Sequence, residues 1–351
     1  MIDARTPLDG LTDNEHGHPQ YRALEPRDRA LVRAILSSAL RHRMTISALL
    51  ARRLERPLPA NATALAHMLH VGAAQILFLD VPDSAAVDLA VTHAKSDPRT
   101  ARFSNLVNAV LRGLARAKAA ELEPALAATD DAPAWFSQRL AAAYGPETAR
   151  KILAMHRLEA PVDFTVKADP GLWAGRLGGI VLPTGTVRVE RLAAPVAELP
   201  GFAEGAWWVQ DAAASLPARL LGDVAGLRVA DLCAAPGGKT AQLILAGAKV
   251  TAVDASQNRL SRLRQNLDRL GLQAEAIVQA DLLDFAPSQP FDAVLLDAPC
   301  TATGTCRRHA DVLHRIGAGA IAGMADLQAR LLARAADCLA PGGRLVYAVC
   351  S

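Results

Sequence analysis

The spacing of apolar residues changes twice along the chain, and each change indicates a different kind of structure. From Pro26 to about Ala120, apolar residues recur at spacings of three and four, which predicts a bundle of short amphipathic helices. The first of these helices would carry one apolar stripe, formed by Leu31, Ile35, Leu36 and Leu40. Residues 1–21 show no such period, so we expect them to be loosely ordered.

A different pattern begins near residue 130. Asp130–Pro133 is a short polar segment ending in proline, which predicts a helix that starts near Ala134. Three short runs rich in β-branched residues follow, over residues 162–166, 178–182 and 186–189. They predict the strands of a small α+β unit.

From Trp207 onward, apolar runs of strand length alternate with helical stretches. The strand candidates are Arg228–Cys233, Lys249–Asp254, Ala276–Asp281, Phe291–Ala298 and Gly343–Val349. Helices are predicted between them, notably over Ser256–Leu270 and Met324–Leu339. This alternation predicts a doubly wound parallel sheet of the Rossmann-like α/β class. The predicted division is a loose N-terminus (1–21), an all-α domain (22–127), a linker helix with the small α+β unit (130–205) and the α/β domain (206–351).

Composition narrows the class of protein. With 351 residues, 51% of them hydrophobic, the chain can bury the cores of two or three domains. Its five cysteines are odd in number and include no CxxC pair, which argues against a disulfide framework and a four-thiolate zinc site. No signal peptide is recognisable, and no apolar run approaches the roughly 20 residues that span a bilayer. We therefore expect a monomeric cytoplasmic protein without a metal.

Positive charge is concentrated in one part of the predicted helical domain. The whole chain carries a net charge of only +3, but residues 22–56 hold nine arginines and three acidic residues. Arg29, Arg33 and Arg41 would share one helix face and could contact the phosphates of a polyanion. A solvated helix face explains the same pattern equally well.

A glycine-rich turn follows the first strand of the α/β domain, where the chain runs DLCAAPGGKT over residues 231–240. Its glycines allow the backbone to approach a ligand closely, and the next helix offers free N–H groups. The turn lacks the first glycine of the phosphate-binding GxxxxGK[ST] loop and the complete GxGxxG dinucleotide pattern. The sequence therefore argues against a nucleotide triphosphatase, whereas a purely structural turn remains an alternative.

Acidic residues end the next three strands and favour a nucleoside ligand. Asp254 is placed to bind ribose hydroxyls, Asp281 to accept a hydrogen bond from an adenine amine, and Asp297 ends the fourth strand. Each could instead be a helix cap or a solvated loop residue. Together with the glycine-rich turn they predict a pocket for S-adenosylmethionine, which has a nucleoside and a charged amino-acid tail but no phosphate.

Two cysteines follow apolar strands of the same predicted sheet. Cys300 follows Leu295–Pro299, and Cys350 follows Val346–Val349. Because parallel strands present their carboxyl ends at one edge of the sheet, both thiols are expected there. Thiolates are strong nucleophiles, so the pair suggests covalent catalysis, although buried cysteines that merely pack are common.

Three long motifs give the chain a family resemblance. DLCAAPGGKT (231–240), LLDAPCTATGTCRRHADV (295–312) and LVYAVCS (345–351) resemble the main motifs of the Sun/Fmu (RsmB-type) family of 16S rRNA cytosine-5 methyltransferases. The VQDA segment at residues 209–212 resembles the element that leads into that family's catalytic domain. The N-terminal part resembles a NusB-like RNA-binding domain, and the supporting segments are Glu25–Leu31, Gln75–Pro82 and Phe103–Arg112.

The resemblance implies a reaction and a set of residues. It implies methylation of C5 of one cytidine in 16S rRNA through a cysteine adduct at C6. The residues that would hold or line the S-adenosylmethionine site are Cys233, Ala234, Ala235, Pro236, Gly237, Gly238, Lys239, Asp254, Asp281 and Asp297. Cys350 would be the nucleophile, Cys300 would aid product release, and Asp297 would also contact the base. Arg307 and Arg308 would lie near the RNA backbone, and the NusB-like domain would help to hold the RNA.

The chain departs from the family pattern in three places. Val349 stands where the family has a threonine, and the leading helix of the NusB-like domain is not predicted. The family's fold continues for two strands and a helix beyond Ser351, so an incomplete methyltransferase domain is expected. Two alternatives remain open, a tRNA cytosine-5 methyltransferase and a catalytically silent RNA-binding protein.

Other polar and aromatic residues give weaker signals. His309 and His314 are expected to be solvated loop residues rather than metal ligands, since no third ligand has a suitable spacing. Trp207 and Trp208 are expected to pack against a sheet rather than to stack on a base.

Overall fold

The computed structural model describes residues 6–14 and 16–351, in which the described part before residue 160 is helical and the part after it combines strands with helices. Its helices are α1 (Leu8–Leu11), α2 (Pro19–Arg22), α3 (Pro26–Arg41), α4 (Arg43–Ala51), α5 (Thr63–Phe78), α6 (Asp83–Ser96), α7 (Ser104–Ala128), α8 (Ala134–Tyr144), α9 (Pro146–His156), α10 (Pro170–Leu177), α11 (Leu216–Leu220), α12 (Gly238–Leu245), α13 (Gln257–Arg269), α14 (Val312–Arg315) and α15 (Gly319–Asp337). Its strands are β1 (Val162–Val166), β2 (Ile180–Val181), β3 (Val187–Val189), β4 (Trp207–Val209), β5 (Arg228–Leu232), β6 (Lys249–Asp254), β7 (Ala276–Gln279), β8 (Phe291–Asp297) and β9 (Leu339–Ala348). None of the helices in these ranges is long and apolar enough to cross a bilayer.

The described chain divides into two compact units whose boundaries differ from the predicted ones. The first unit comprises the described residues up to Glu159 together with Thr303–Ala318. The second comprises Ala160–Ala302 and Gly319–Ser351. The linker helices α8 and α9 therefore belong to the helical unit, and so does a segment that we had placed in the α/β domain.

The core of the helical unit lies between helices α4, α5, α6 and α7. Leu49, Leu69, Leu111 and Leu114 are all fully buried there. A Cβ atom at Gly72 would lie only 2.7 Å from Leu111 Cδ1, so the glycine permits the close approach of α5 and α7. The predicted stripe on α3 is only partly buried, because Leu40 is 2% exposed whereas Leu31 is 45% exposed.

Asp131 is a buried acid that joins three parts of the helical unit. Its carboxylate accepts hydrogen bonds from Thr45 N and Thr45 Oγ1, both at 2.7 Å, and from Arg157 Nε at 3.0 Å. Burial opposes ionisation of Asp131, but the nearby His42 side chain, whose Nδ1 lies 3.7 Å from Oδ2, and the hydrogen bonds from Thr45 outweigh it and lower the pKa of the carboxyl. The ionised carboxylate therefore anchors the start of α4 to the segment before α8 and to the end of α9.

The N-terminal segment is more ordered than its sequence predicted. Helices α1 and α2 lie within the range 1–21 or adjoin it, and Leu8 and Tyr21 are buried. Leu8 N donates to Asp311 Oδ2 at 3.1 Å, which ties the segment to the helical unit. The expectation of loose structure is therefore wrong for these helices, while residues 1–5 and 15 lie outside the described residues. A few isolated apolar side chains anchor this segment without producing a periodic pattern.

The small α+β unit contains a four-stranded antiparallel sheet of order β2-β3-β1-β4. Strand β4, Trp207–Val209, pairs with β1 and therefore belongs to this sheet, although we had placed it in the α/β domain. Trp207 is fully buried and lies edge-on to Phe164 at a ring separation of 4.7 Å. Trp208 is also buried, so the prediction that both tryptophans pack is confirmed.

The α/β part is a five-stranded parallel sheet of order β7-β6-β5-β8-β9. Leu295 packs on one face of β8, and Val294 and Leu296 pack on the other, where α15 contributes Leu331. Burial on both faces explains why β8 is a nearly continuous apolar run. Strand β6 has its predicted bounds, whereas β5, β7 and β8 end slightly earlier, and β9 and α15 begin earlier.

Candidate active site

The turn after β5 is shaped by two residues with a left-handed backbone. Cys233 has a φ of 62° and Gly237 a φ of 99°, and the Ala235–Pro236 peptide between them is cis. A Cβ atom at Gly237 would lie 2.9 Å from Leu263 Cγ, so both the space and the backbone favour glycine. Helix α12 begins at the next residue and directs its first N–H groups toward the carboxyl edge of the sheet.

Asp254, at the end of β6, fastens this turn. It is 3% exposed, and its Oδ2 accepts a hydrogen bond from Ala235 N at 3.2 Å. Its Oδ1 accepts one from Ser256 N at 3.0 Å, and Arg259 Nη1 lies 3.2 Å from Oδ2. Asp281 follows β7 at the same edge, is exposed, and accepts a hydrogen bond from Leu283 N at 3.0 Å.

Asp231 is a residue of this turn that the sequence did not single out. It is fully buried in β5, and its Oδ2 accepts a hydrogen bond from Thr240 Oγ1 at 2.6 Å. Its Oδ1 is buried and has no hydrogen-bond partner among the described residues. Burial raises the pKa of Asp231 to about 7. An acid inside an otherwise apolar strand was the available signal in the sequence.

The single lysine of the turn is already engaged by an acid. Lys239 Nζ lies 2.6 Å from Asp297 Oδ2, at the end of β8. Cys233 is partly buried, and burial raises the pKa of its thiol to about 12, so this thiol is neutral. The pocket therefore combines backbone donors and carboxylate acceptors, and its lysine is paired with a carboxylate. This combination suits a nucleoside with a charged amino-acid tail.

The two cysteines that follow strands β8 and β9 lie in contact. Cys300 Sγ and Cys350 Sγ are 3.3 Å apart, and Ala302 N donates to Cys300 Sγ at 3.3 Å. Asp297 is in register with Ala348, and Ala298 N donates to Ala348 O at 3.0 Å, which places the two strand ends side by side. Parallel pairing therefore brings together two thiols that are far apart in sequence.

The two thiols differ in acidity. The hydrogen bond with Cys350 and the N–H group of Ala302 lower the pKa of Cys300 to about 5, although burial opposes this shift. The same pairing raises the pKa of Cys350, and burial and the negative charge of Cys300 add to that effect. At neutral pH the pair therefore shares one proton, and the N–H group that Ala302 donates favours the negative charge on Cys300.

Three arginines predicted to contact RNA lie on helix α3, where each has a protein partner. Arg29 Nη1 donates to Asn14 Oδ1 at 3.1 Å. Arg33 forms an ion pair with Asp9, and its Nη1 donates to Thr12 Oγ1 at 2.7 Å. The side chain of Arg33 is still 48% exposed, so its guanidinium can also reach solvent.

Arg41 and Arg307 are brought together inside the helical unit. Arg41 Nη1 donates to the carbonyl oxygens of His156, Leu158 and Arg307 at 2.8–2.9 Å. Arg307 Nη2 donates to Glu159 O at 2.9 Å, and its buried Nε has no partner among the described residues. Arg308 follows in the same loop, where its backbone N–H donates to Thr305 O at 2.9 Å.

The two histidines of this region have structural partners. His309 Nδ1 lies 2.9 Å from Asp9 Oδ2, and His314 Nε2 lies 2.8 Å from Leu40 O. Burial lowers the pKa of His314, so the expectation of a solvated side chain is wrong for this residue. Within residues 6–14 and 16–351, no three His, Cys, Asp or Glu side chains are placed to hold a metal ion.

Comparison with known proteins identifies both parts of the chain. Residues 4–116 match the NusB family, and residues 219–351 match the 16S rRNA methyltransferase RsmB/F family. A ribosomal RNA small subunit methyltransferase B from Xanthomonas campestris pv. campestris is 39% identical over 344 residues, which cover 93% of this chain and 77% of that protein. Its counterpart from Salmonella arizonae is 36% identical over 95% of this chain and 81% of its own length.

The chain belongs to the ribosomal RNA small subunit methyltransferase B family. Solved structures agree on the fold. The crystal structure of PH0851 superposes on this chain with a TM-score of 0.76 and 23% sequence identity. The match covers 100% of this chain and 86% of the PH0851 chain. A methyltransferase homologue from Pyrococcus horikoshii is 30% identical over 62% of this chain and 73% of its own, with a TM-score of 0.54.

Membership of this family confirms the predicted fold class and cofactor. The chain combines a NusB domain with a Rossmann-like methyltransferase domain, and its cofactor is S-adenosylmethionine. The residues present fit that cofactor, because the turn from Cys233 to Lys239 offers backbone N–H groups, and Asp254 and the unpartnered Oδ1 of Asp231 offer acceptors. The NusB match from residue 4 also extends the helical domain beyond its predicted start at residue 22.

Proposed function

We propose that this protein methylates C5 of a cytidine in 16S rRNA through a covalent adduct with Cys350. The observation that carries the proposal is the contact of Cys350 and Cys300 at 3.3 Å, beside the Lys239–Asp297 pair. The related proteins are named as ribosomal RNA methyltransferases, which supports 16S rRNA as the substrate. Two adjacent thiols provide one nucleophile and one group that exchanges protons with it.

The first step would be attack of the Cys350 sulfur on C6 of the cytosine. C5 is a weak nucleophile in the free base, and addition of sulfur to C6 makes C5 enamine-like. The Ala302 N–H group favours negative charge on Cys300, which is in contact with Cys350, so Cys300 can accept the Cys350 proton as the new S–C bond forms. The raised pKa of the Cys350 thiol therefore does not prevent attack, because its proton acceptor is already in contact with it.

Asp297 would fix the orientation of the base. The Asp297 side chain is 35% exposed and lies at the edge of the sheet where both cysteines lie. Its Oδ2 is 2.6 Å from Lys239 Nζ, which holds the carboxylate in place. A carboxylate there can accept a hydrogen bond from the N4 amine of cytosine, while the nearby ammonium of Lys239 offsets negative charge on the ring. Because a salt-bridged carboxylate is ordered before the base arrives, little reorganisation is needed.

The turn from Cys233 to Lys239, with Asp254 and Asp281, would hold S-adenosylmethionine at the same edge of the sheet. The cofactor supplies an electrophilic methyl group when it is bound. Burial raises the pKa of Cys233 to about 12, so its thiol stays neutral and does not compete with Cys350 as a nucleophile.

Release requires removal of the proton from C5 of the methylated base. The Cys300 sulfur, once it has passed on its proton to solvent, is the nearest base to the Cys350 sulfur. It would take the C5 proton as the bond between C6 and the Cys350 sulfur breaks, which restores the aromatic ring. The cysteine pair then returns to its starting state with one shared proton.

The helical unit is proposed to hold the RNA. It contains the NusB match and nine arginines between residues 22 and 56, among them the partly exposed Arg33. The target cytidine must be unstacked before attack, which costs a few kcal/mol and less in a loop than in a duplex.

Bisulfite sequencing tests the proposal directly. Ribosomal RNA from cells that lack the gene, and from the same cells carrying this chain, should differ at one cytidine of 16S rRNA. A Cys350→Ala chain serves as the control and should leave that cytidine unmodified. A gene-dependent signal in tRNA with none in 16S rRNA would replace the proposed substrate, and no signal in either RNA would overturn the proposal.

A further inference from the structure

The cysteine pair has a second chemical property that the methyltransferase mechanism does not use. Cys350 is exposed and Cys300 is half-buried, and their sulfurs are 3.3 Å apart. The other cysteines are Cys233, Cys306 and Cys338, and burial raises the pKa of each. Of the five cysteines, which all lie in the described part of the chain, this pair alone joins solvent access to a stabilised thiolate.

Cys300 is the sulfur that would react first with an oxidant. It receives the Ala302 N–H group and lies against the Cys350 thiol, and both interactions favour its charged form. Thiolates rather than thiols react with peroxides, so a sulfur that is ionised at neutral pH reacts fastest. A neighbouring thiol then determines whether the oxidised sulfur is captured.

We propose that Cys300 and Cys350 form a peroxide-reactive site that closes to an intramolecular disulfide. The geometry supports this, because the sulfurs need to approach by only about 1 Å to reach a disulfide bond length. Both cysteines follow the ends of adjacent paired strands, Cys300 three residues beyond Asp297 and Cys350 two residues beyond Ala348. The inference rests on this geometry and not on the proposed reaction with cytidine.

The oxidation would proceed in two steps. The Cys300 thiolate attacks one oxygen of hydrogen peroxide, the O–O bond breaks, and hydroxide leaves, so that Cys300 becomes a sulfenic acid. The Cys350 sulfur then attacks the Cys300 sulfur, the S–O bond breaks, and the leaving oxygen departs as water. That water carries away the Cys350 proton, and the hydroxide released in the first step takes up one proton from the solvent, which replaces the proton lost when Cys300 ionised. The two cysteines lose two electrons in total, and one peroxide is reduced to two waters.

Mass spectrometry of the full chain tests the inference. Treatment with equimolar peroxide should lower the intact mass by two hydrogen atoms and join the peptides that contain Cys300 and Cys350. Dithiothreitol should restore both free thiols. A Cys338→Ala chain is a matched control, since Cys338 is buried, and it should oxidise like the parent protein.

The two single variants separate the roles of the sulfurs. Cys350→Ala should leave a sulfenic acid on Cys300 that a cyclic diketone traps, because the capturing thiol is gone. Cys300→Ala should oxidise at least about tenfold more slowly, since the remaining thiol is not stabilised as a thiolate. Thermal melting of each variant establishes that it is folded.

Several results would overturn the inference. The inference is overturned if Cys300 and Cys350 both remain free thiols after peroxide treatment of the folded parent protein. It is also overturned if the disulfide joins any other pair of cysteines. The outcome is independent of the proposed function. A protein that methylates cytidine but forms no disulfide would remove this inference alone, and a protein that forms the disulfide but methylates no cytidine would remove the proposed function alone.

Discussion

Replacement of Asp254 by alanine should weaken S-adenosylmethionine binding by about one to two orders of magnitude. The carboxylate accepts N–H groups from Ala235 at 3.2 Å and from Ser256 at 3.0 Å, so it orders the turn as well as offering an acceptor to ribose. A hydrogen bond to a charged group is worth about 1.5–3 kcal/mol, which corresponds to roughly 10–150-fold in dissociation constant. The ion pair with Arg259 adds little, because that side chain is 53% exposed.

Titration calorimetry measures this effect, and thermal melting of the same samples shows whether the fold persists. Asp254→Asn should lose less affinity, because an amide oxygen still accepts one of the two N–H groups. Asp281→Ala is a matched control at the same edge of the sheet, and its exposed carboxylate should contribute less. A folded Asp254→Ala protein that binds S-adenosylmethionine as tightly as the parent protein would show that the pocket is assigned wrongly.

Three further predictions test the thiols, a structural acid and the RNA surface. Cys300→Ala should accumulate a protein–RNA conjugate that survives denaturing electrophoresis, because Cys350 then loses the neighbour that raises its pKa and can still attack, whereas release loses its base. Cys350→Ala should form no conjugate, and the opposite pattern would exchange the roles of the two cysteines. Asp131→Asn should lower the free energy of unfolding in denaturant by about 3–5 kcal/mol, and a loss below about 1 kcal/mol would contradict its anchoring role. Because the pKa of Asp131 is lowered, its contribution is present above its unfolded value of 3.8 and is lost as the pH falls through the folded pKa. Arg29→Gln with Arg33→Gln should flatten the plot of log K for RNA against log salt by about 1.4–1.8, whereas an unchanged slope would mean that neither arginine contacts phosphate.

The sequence predicted the α/β part of the fold well because its signals there are local. The central strands of the parallel sheet are buried on both faces and therefore appear as short apolar runs bounded by turns, as β6 and β8 show. The carboxyl ends of such strands share one edge, so Asp254 and Asp297 could be placed there from their positions in sequence.

Long-range packing explains what the sequence did not predict. Residues 303–318 lie between two elements of the α/β domain in sequence, yet they belong to the helical unit. Cys306, Val312 and Leu313 are buried there against Phe136 of α8 and Leu153 of α9. Nothing in the spacing of three apolar residues reveals a partner more than a hundred residues away, so this assignment required the structure.

Short elements were missed for a related reason. Strand β4 has three residues and gains its place in the antiparallel sheet from pairing with β1, not from an alternating pattern of its own. The order of the N-terminal segment likewise depends on the burial of Leu8 and Tyr21. Periodicity needs several turns or strand repeats to be visible, so it did not reveal α1, α2 or β4.

The contact between the two thiols shows how a local motif and a long-range register combine. Each motif indicated that a cysteine follows an apolar strand, but neither could give the offset between the strands. The pairing of Asp297 with Ala348 fixes that offset, so that Cys300, three residues beyond one partner, meets Cys350, two residues beyond the other. A shift of β9 by one residue would turn its side chains to the opposite face of the sheet and separate the sulfurs. The chemistry proposed for this protein therefore depends as much on the register of β8 and β9 as on the presence of the two cysteines.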